Sequence, residues 1–179
     1  MIQVKEEFKN LIPPLNDSEF KELEDSILAE RCRESLIVWN NILVDGHHRY
    51  EICTKHNIPF KVINKDFEDE NEAMLWIINN QLGRRNITDF ARAELALKRK
   101  EILLKQGREK QKQTLKQYNE PTVLTNLVKT DKKQYNTREI LAKEIGVGQG
   151  TIERVEVILK EAPEEVKEKL RCGDITINK

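Results

Sequence analysis

The stretch from Leu36 to Arg49 constrains the fold more than any other part of this sequence. Leu36-Ile37-Val38-Trp39 and Ile42-Leu43-Val44 are short apolar, β-prone runs separated by Asn40-Asn41, and Asn tolerates the positive φ that a tight hairpin turn demands. The second run stops at Asp45-Gly46. His47-His48-Arg49-Tyr50-Glu51-Ile52-Cys53-Thr54-Lys55-His56 then reads as a helix, with Asn57 placed to end it. Upstream, Asn16-Asp17-Ser18-Glu19 is a capping-box pattern, and Phe20, Leu23, Ile27 and Leu28 share one face of a helix from about Ser18 to Glu30. Downstream, Phe60-Lys61-Val62-Ile63 reads as a further strand. Asp69 to Glu72 repeats the capping pattern before Ala73, Leu75, Trp76, Ile77 and Ile78, which are apolar nearly all round and predict a buried helix.

From Thr88 the character changes. Phe90, Ala93, Leu95, Ala96 and Leu97 lead into Lys98-Arg99-Lys100 and on through Arg108, Lys110, Lys112 and Lys116, a long helix whose later half is basic. Gln113 to Gln134, with Pro121 and no sustained period, reads as a loop or linker. The charge count supports a division here. The 31 Lys+Arg and 31 Asp+Glu cancel over the whole chain, yet residues 1–89 hold 11 basic and 17 acidic side chains, 90–135 hold 12 and 5, and 136–179 hold 8 and 9. An acidic body is thus joined to a basic, polyanion-seeking segment. With 38% hydrophobic residues, two modest cores are expected instead of one large one.

Other classes are disfavoured. No apolar run approaches the ~18 residues of a bilayer span, and Met1-Ile2-Gln3-Val4-Lys5 lacks the pattern of a secretion signal; a cytoplasmic protein with no membrane partner is expected. Cys32, Cys53 and Cys172 are odd in number, widely spaced and form no CxxC pair. Neither a disulfide framework nor a zinc site is expected, and no metal ligands are assigned; the thiols read as small apolar groups.

The last third reads as short helices. Thr137 can cap one in which Ile140, Leu141 and Ile145 face inward, Gly146-Val147-Gly148 makes a turn, and Thr151, Ile152, Val155 and Leu159 continue on a second. This is the helix-turn-helix pattern, for which an ordinary αα-hairpin is the alternative. The polar start of the second helix, Gln149-Gly150-Thr151 with Glu153 and Arg154, offers partners for base edges and phosphates. Pro163 opens a further helix, Glu164 to Arg171, ended by Gly173.

Two polar clusters could carry chemistry. Asp45-Gly46-His47-His48-Arg49 sits at a strand-to-helix junction, where free N–H groups attract an anion, Gly46 admits a ligand close to the backbone and Arg49 adds a forked donor; a turn flanked by exposed histidines is the alternative. Asn79-Asn80-Gln81-Leu82-Gly83-Arg84-Arg85-Asn86 places amides and paired arginines at the end of an apolar helix, either as donors to a polyanion or as a polar helix terminus.

In this order the clusters resemble the N-terminal domain of the ParB family, which shares its fold with sulfiredoxin. Phe20 to Ile27 looks like the family's first conserved helix, Val44 to Tyr50 matches its GERR segment, and Asn80 to Ile87 its ENLQR segment. The resemblance implies an α+β fold: a small mixed-sheet ParB/sulfiredoxin-like domain over 1–87, a basic helix and linker over 88–135, and an all-α helix-turn-helix DNA-binding domain over 136–179. It implies that Gly46, His47, His48, Arg49, Asn80, Gln81, Arg84 and Arg85 bind CTP or another nucleotide with Mg2+. His47 and His48 replace the acidic and first arginine positions of GERR, and Asn80 replaces the acidic residue of ENLQR. Losing that carboxylate removes a natural magnesium ligand, which disfavours nucleotide hydrolysis. Since His47 stands where sulfiredoxin has its reactive cysteine, sulfinic acid repair is not expected either. The implied partners are double-stranded DNA, a second copy in a homodimer and a partition ATPase, in plasmid or chromosome partition or in transcription regulation, with the protein associated with nucleoid or plasmid. Gln149, Thr151, Arg154 and Arg138 are the candidate DNA contacts of the final module, and Lys98, Arg99 and Lys100 those of the basic helix. A nucleotide-dependent enzyme on the same fold, a small-molecule kinase or a nuclease, is the alternative.

Overall fold

The computed structural model of the chain describes residues 2–84, 86–117 and 137–177. A short helix α1 (Glu6–Lys9) and the helix α2 (Asp17–Glu30) precede a hairpin, β1 (Leu36–Trp39) and β2 (Ile42–Asp45). α3 (His47–Lys55), β3 (Val62–Asn64) and α4 (Glu70–Leu82) complete the first body. The hairpin turns at Asn40 and Asn41, with φ of 48° and 64°, and α2 starts from a capping box in which Asn16 and Glu19 satisfy each other's backbone N–H groups. The sheet order is β2-β1-β3. β1 pairs antiparallel with β2 and parallel with β3, so α3 is the crossover that a parallel pair requires.

One irregularity positions the site. Ile37 pairs with Asp45 but Val38 with Leu43, so Val44 is an extra residue on β2, a bulge of the kind that re-aims side chains. Leu43, Val44 and Asp45 are consequently all buried instead of alternating. Leu43 joins Leu36 and Val38 on one face of the sheet, with Tyr50 of α3 and Phe60; Val44 joins Phe8, Ile77, Ile78 and Leu95 on the other.

α5 (Asp89–Gln117), α6 (Thr137–Ile145), α7 (Gln149–Glu161) and α8 (Glu164–Cys172) follow. Leu95 of α5 packs in the sheet-side core, while Phe90, Ala93 and Ala96 pack with Leu141, Ala142, Ile145, Ile152, Val155 and Leu170. α5 is therefore shared by both cores. The stretch read as a loop from Gln113 is helical as far as Gln117, because its Lys, Gln and Leu residues are good helix formers with no Gly or Pro among them; the rest of that loop lies outside the described residues. α1 was not expected from the sequence; it buries Phe8 completely beneath the sheet. Among the described residues no helix is long and apolar enough to cross a membrane.

Candidate functional site

α3 begins at Gly46, whose φ of 92° places it in the left-handed region. An added Cβ would lie 2.6 Å from Leu36 Cδ2 and 3.1 Å from Arg49 Nη2, and Leu36 is fully buried and cannot yield. Gly46→Ala should therefore destabilise the fold by about 2 kcal/mol through strain and overpacking. Gly83→Ala, with φ of −74° and a nearest contact of 3.5 Å, should be near neutral. Denaturant midpoints of the two variants check this; equal midpoints would refute it.

No side chain caps the first turn of α3, so its N–H groups face the space beyond Gly46, where the helix dipole favours an anion. The bulge turns Asp45, 7% exposed, into the same space. Arg49 Nη2 donates to Asp45 Oδ2 at 3.1 Å and Arg84 Nη2 to Asp45 Oδ1 at 3.3 Å. Arg49 Nη1 also donates to Glu34 Oε2 at 2.5 Å. Two guanidinium groups separated by 35 positions in the chain thus converge on one carboxylate, held ready for a second anion.

Around them lies a cleft of about 750 Å3, lined by Gly46 to Arg49, Gln81, Arg84, the apolar Ile12 to Leu15 and, from the far end of the chain, Arg171 and Cys172. Buried polar atoms in it lack partners: both ring nitrogens of His47, Nε of Arg49 and Nε2 of Gln81. His47 is 7% and Gln81 2% exposed. Burial lowers His47 to about 4, with Asp45 opposing, and burial also lowers His48, so at neutral pH both imidazoles are uncharged and His47 offers one donor and one acceptor. Such groups are costly to leave unpaired, and the residues that carry them all line the cleft.

The fit for the implied groups divides. The phosphates of a nucleotide match an uncapped helix start, two arginines and unpaired donors. A protein-held Mg2+ does not match: Asp45 is engaged by both arginines, Asn80 is exposed and does not line the cleft, and among the described residues no group of three His, Cys, Asp or Glu could hold a metal. Arg85 lies outside the described residues.

The candidate DNA contacts are spread differently. α6 and α7 are joined by a tight turn in which Gly146 has a φ of 72° and Val147 N donates to Ala142 O. Gln149 and Arg154 are exposed on α7 and Thr151 is half-buried. Arg138 donates to Glu156 and Glu153, tying α6 to α7. Arg99 donates to Asn79 Oδ1 at 3.2 Å and to Glu144, and Lys98 Nζ to Asn10 O at 3.2 Å; both brace α5 against its neighbours. Lys100 is half-buried, and beyond it Lys105 and Arg108 are exposed. Lys105 falls within the basic stretch from Lys98 to Lys116 but is not among the three contacts expected of it; its signal is its place on the helix after the last buried turn.

No family model matches the sequence, and no curated protein matches it. Solved structures do. The chain is similar to a pNOB8-like ParB-N domain in a C2221 crystal form, with TM-score 0.59 and 19% identity over 99% of this chain and 73% of that one. It is also similar to a further structure of the pNOB8-like ParB N-domain, with TM-score 0.58 and 20% identity over 99% and 68%. The C-terminally truncated chromosome-partitioning protein ParB from Caulobacter crescentus, complexed to the centromeric parS site, aligns at a TM-score of 0.40 with 14% identity over 92% and 71%, too distant a match to bear on this chain. The chain has the ParB N-domain fold, with a helical C-terminal part.

Proposed function

We propose that the chain is a ParB-type DNA-binding protein, acting in partition or transcription regulation, whose cleft binds the phosphates of CTP or another nucleotide. The observation that carries the cleft reading is the convergence of Arg49 and Arg84 with the unpartnered His47 and Gln81 around the uncapped start of α3. In this reading the N–H groups of residues 47–49 and the two guanidinium groups hold phosphate oxygens, Gln81 and neutral His47 donate to further acceptors, and the Ile12 to Leu15 wall takes the base. The DNA reading is supported by the α6-turn-α7 geometry, with Gln149 and Arg154 exposed on the second helix, and by Lys105 and Arg108, exposed on α5. Homodimerisation and a partition ATPase are carried by the family resemblance alone. Turnover has little support, since the carboxylate nearest the helix start is committed to two arginines.

Titration with CTP, ATP and GTP, with and without duplex DNA, tests the proposal. Arg84→Ala should weaken nucleotide binding at least tenfold, roughly the 1.4 kcal/mol that a charged hydrogen bond contributes. Affinity for a duplex should fall steeply with salt, and changing Lys105 and Arg108 together to Ala should flatten the log–log slope by about 0.9 for each phosphate no longer neutralised. A salt-independent affinity would overturn the DNA reading; nucleotide binding unchanged by Arg84→Ala would overturn the cleft reading.

A further inference from the structure

The two edges of the three-stranded sheet are finished differently. Along β2 the N-terminal segment forms a parallel bridge to Ile42, in which Gln3 N donates to Asn41 O and Leu43 N to Gln3 O, both at 2.8 Å. Among the described residues β3 has no strand neighbour but β1, and Val62, Ile63 and Asn64 are all exposed. Val62 is 41% and Ile63 54% exposed, so the open edge is also apolar.

The ladder decides which backbone groups are free. Leu36 N donates to Lys61 O at 2.8 Å and Lys65 N to Val38 O at 2.9 Å. The odd-numbered residues therefore bond to β1, and the N–H and C=O groups of Val62 and Asn64 face the open edge. An exposed apolar edge with free donors and acceptors is a template for another strand.

Charge selects the strand. Lys61 and Lys65 flank the edge, and side-chain alternation puts both on the face of Ile63, the face that the register shares with Ile37. Lys65 Nζ is held over the rings of Phe67 at 5.6 Å and Trp76 at 5.5 Å. Among the described residues neither lysine is in an ion pair with a carboxylate, although the body around them is acidic overall. A second copy of the edge is a poor match. The antiparallel register that satisfies both free residues of each strand, Val62 against Asn64, sets Lys61 opposite Lys65, and like charges directly opposite destabilise a sheet.

We propose that β3 is a docking edge for an extended acidic segment of another protein, which joins the sheet beside β3 with carboxylates opposite Lys61 and Lys65 and an apolar side chain between them, opposite Ile63. Because side chains return to the same face at every second residue, the matching motif is acidic-x-apolar-x-acidic, which reads the same in either chain direction. The backbone of Val62 and Asn64 provides the affinity, and the lysines provide the selection. This edge is independent of the cleft and of the DNA reading.

The test uses the full chain, isotope-labelled for NMR, and two short end-blocked threonine peptides with a central valine. One carries glutamates, the other lysines, at the alternate positions on either side of the valine. The glutamate peptide should bind roughly tenfold more tightly than the lysine peptide at low salt, the scale of two cross-strand charge pairs. It should also slow amide exchange at Val62 and Asn64. Val62→Pro removes an outward N–H and leaves the ladder to β1 intact, so it should weaken the glutamate peptide about tenfold. Lys61→Glu with Lys65→Glu should reverse the preference, a result that does not depend on how well the proline variant folds. Equal affinity for the two peptides, no measurable affinity for either, or a preference that survives the charge reversal would overturn the proposal. Binding without protection at Val62 and Asn64 would overturn the edge as the site. A dimer that forms without peptide and is lost in Val62→Pro would overturn the choice of occupant in favour of a second copy.

Discussion

Arg171→Ala is expected to destabilise the chain by about 3 kcal/mol, because it strips a buried carboxylate of its partner. Arg171 Nε and Nη2 each donate to an oxygen of Glu94 at 2.8 Å, and Glu94 is 5% exposed on α5. Lys98 Nζ, 3.6 Å from Glu94, remains in the variant and offsets part of the loss, which holds the expected value at the lower end of the range for broken buried pairs. The other ion pair of Arg171, to Glu164 at 2.5 Å, lies at the surface, so Glu164→Ala should cost less than about 1 kcal/mol. The double variant Glu94→Leu with Arg171→Met should cost less than Arg171→Ala alone, since it removes both charges and keeps the packing. Urea unfolding of the three proteins decides the matter. A loss below about 1 kcal/mol for Arg171→Ala, the scale of a surface pair, would mean that the pair does not hold α8 to α5.

That pair also shows which parts of the molecule the sequence revealed and which it hid. Elements announced by adjacent residues were legible: Asn40 and Asn41 for the turn, Asn16 and Glu19 for the start of α2, Asp69 for the start of α4. Each depends on bonds spanning a few residues, which local chemistry determines. The Val44 bulge was not legible. A run of Leu43-Val44-Asp45 does not say which residue will be the extra one, and the pairing across the hairpin decides it. The shared role of α5 was hidden for a related reason: its apolar residues mark a helix in the sequence, and only the tertiary arrangement gives Leu95 to one core and Phe90 to the other.

The same contrast holds at the site. Gly46 and Arg49 stand close to one another in the chain, and their junction chemistry could be read there. Their partner Arg84 was recognisable as a donor, but its meeting with Arg49 on Asp45 depends on how α4 crosses the sheet. Arg99 and Arg138 carry a plainer lesson. In the sequence they are positive charges without visible partners, whereas Glu144 and Glu156, which engage them, come from elements that folding brings alongside. A run of basic residues therefore overstates the charge left for a polyanion wherever its helix is packed.

Acid should remove about 3 kcal/mol of stability through His47. The unfolded imidazole takes up a proton near 6.5, while burial holds the folded one at about 4. Between those values the unfolded chain binds more protons, so stability falls as the pH drops through that window. The contribution is complete above 6.5 and lost below 4. His48, also lowered by burial, acts in the same direction. His47→Gln should flatten this limb of the stability curve, measured as urea midpoints at pH 7, 5 and 4; a variant that loses as much as the parent over the window would refute the assignment. The cleft reading adds a consequence of opposite sign. An anion held beside His47 favours its protonated form, raising the folded pKa and narrowing the gap to the unfolded one. Nucleotide should accordingly stabilise the parent more at pH 5 than at pH 7, and His47→Gln should show less of that difference, because the added charge that would meet the phosphate is the proton on His47.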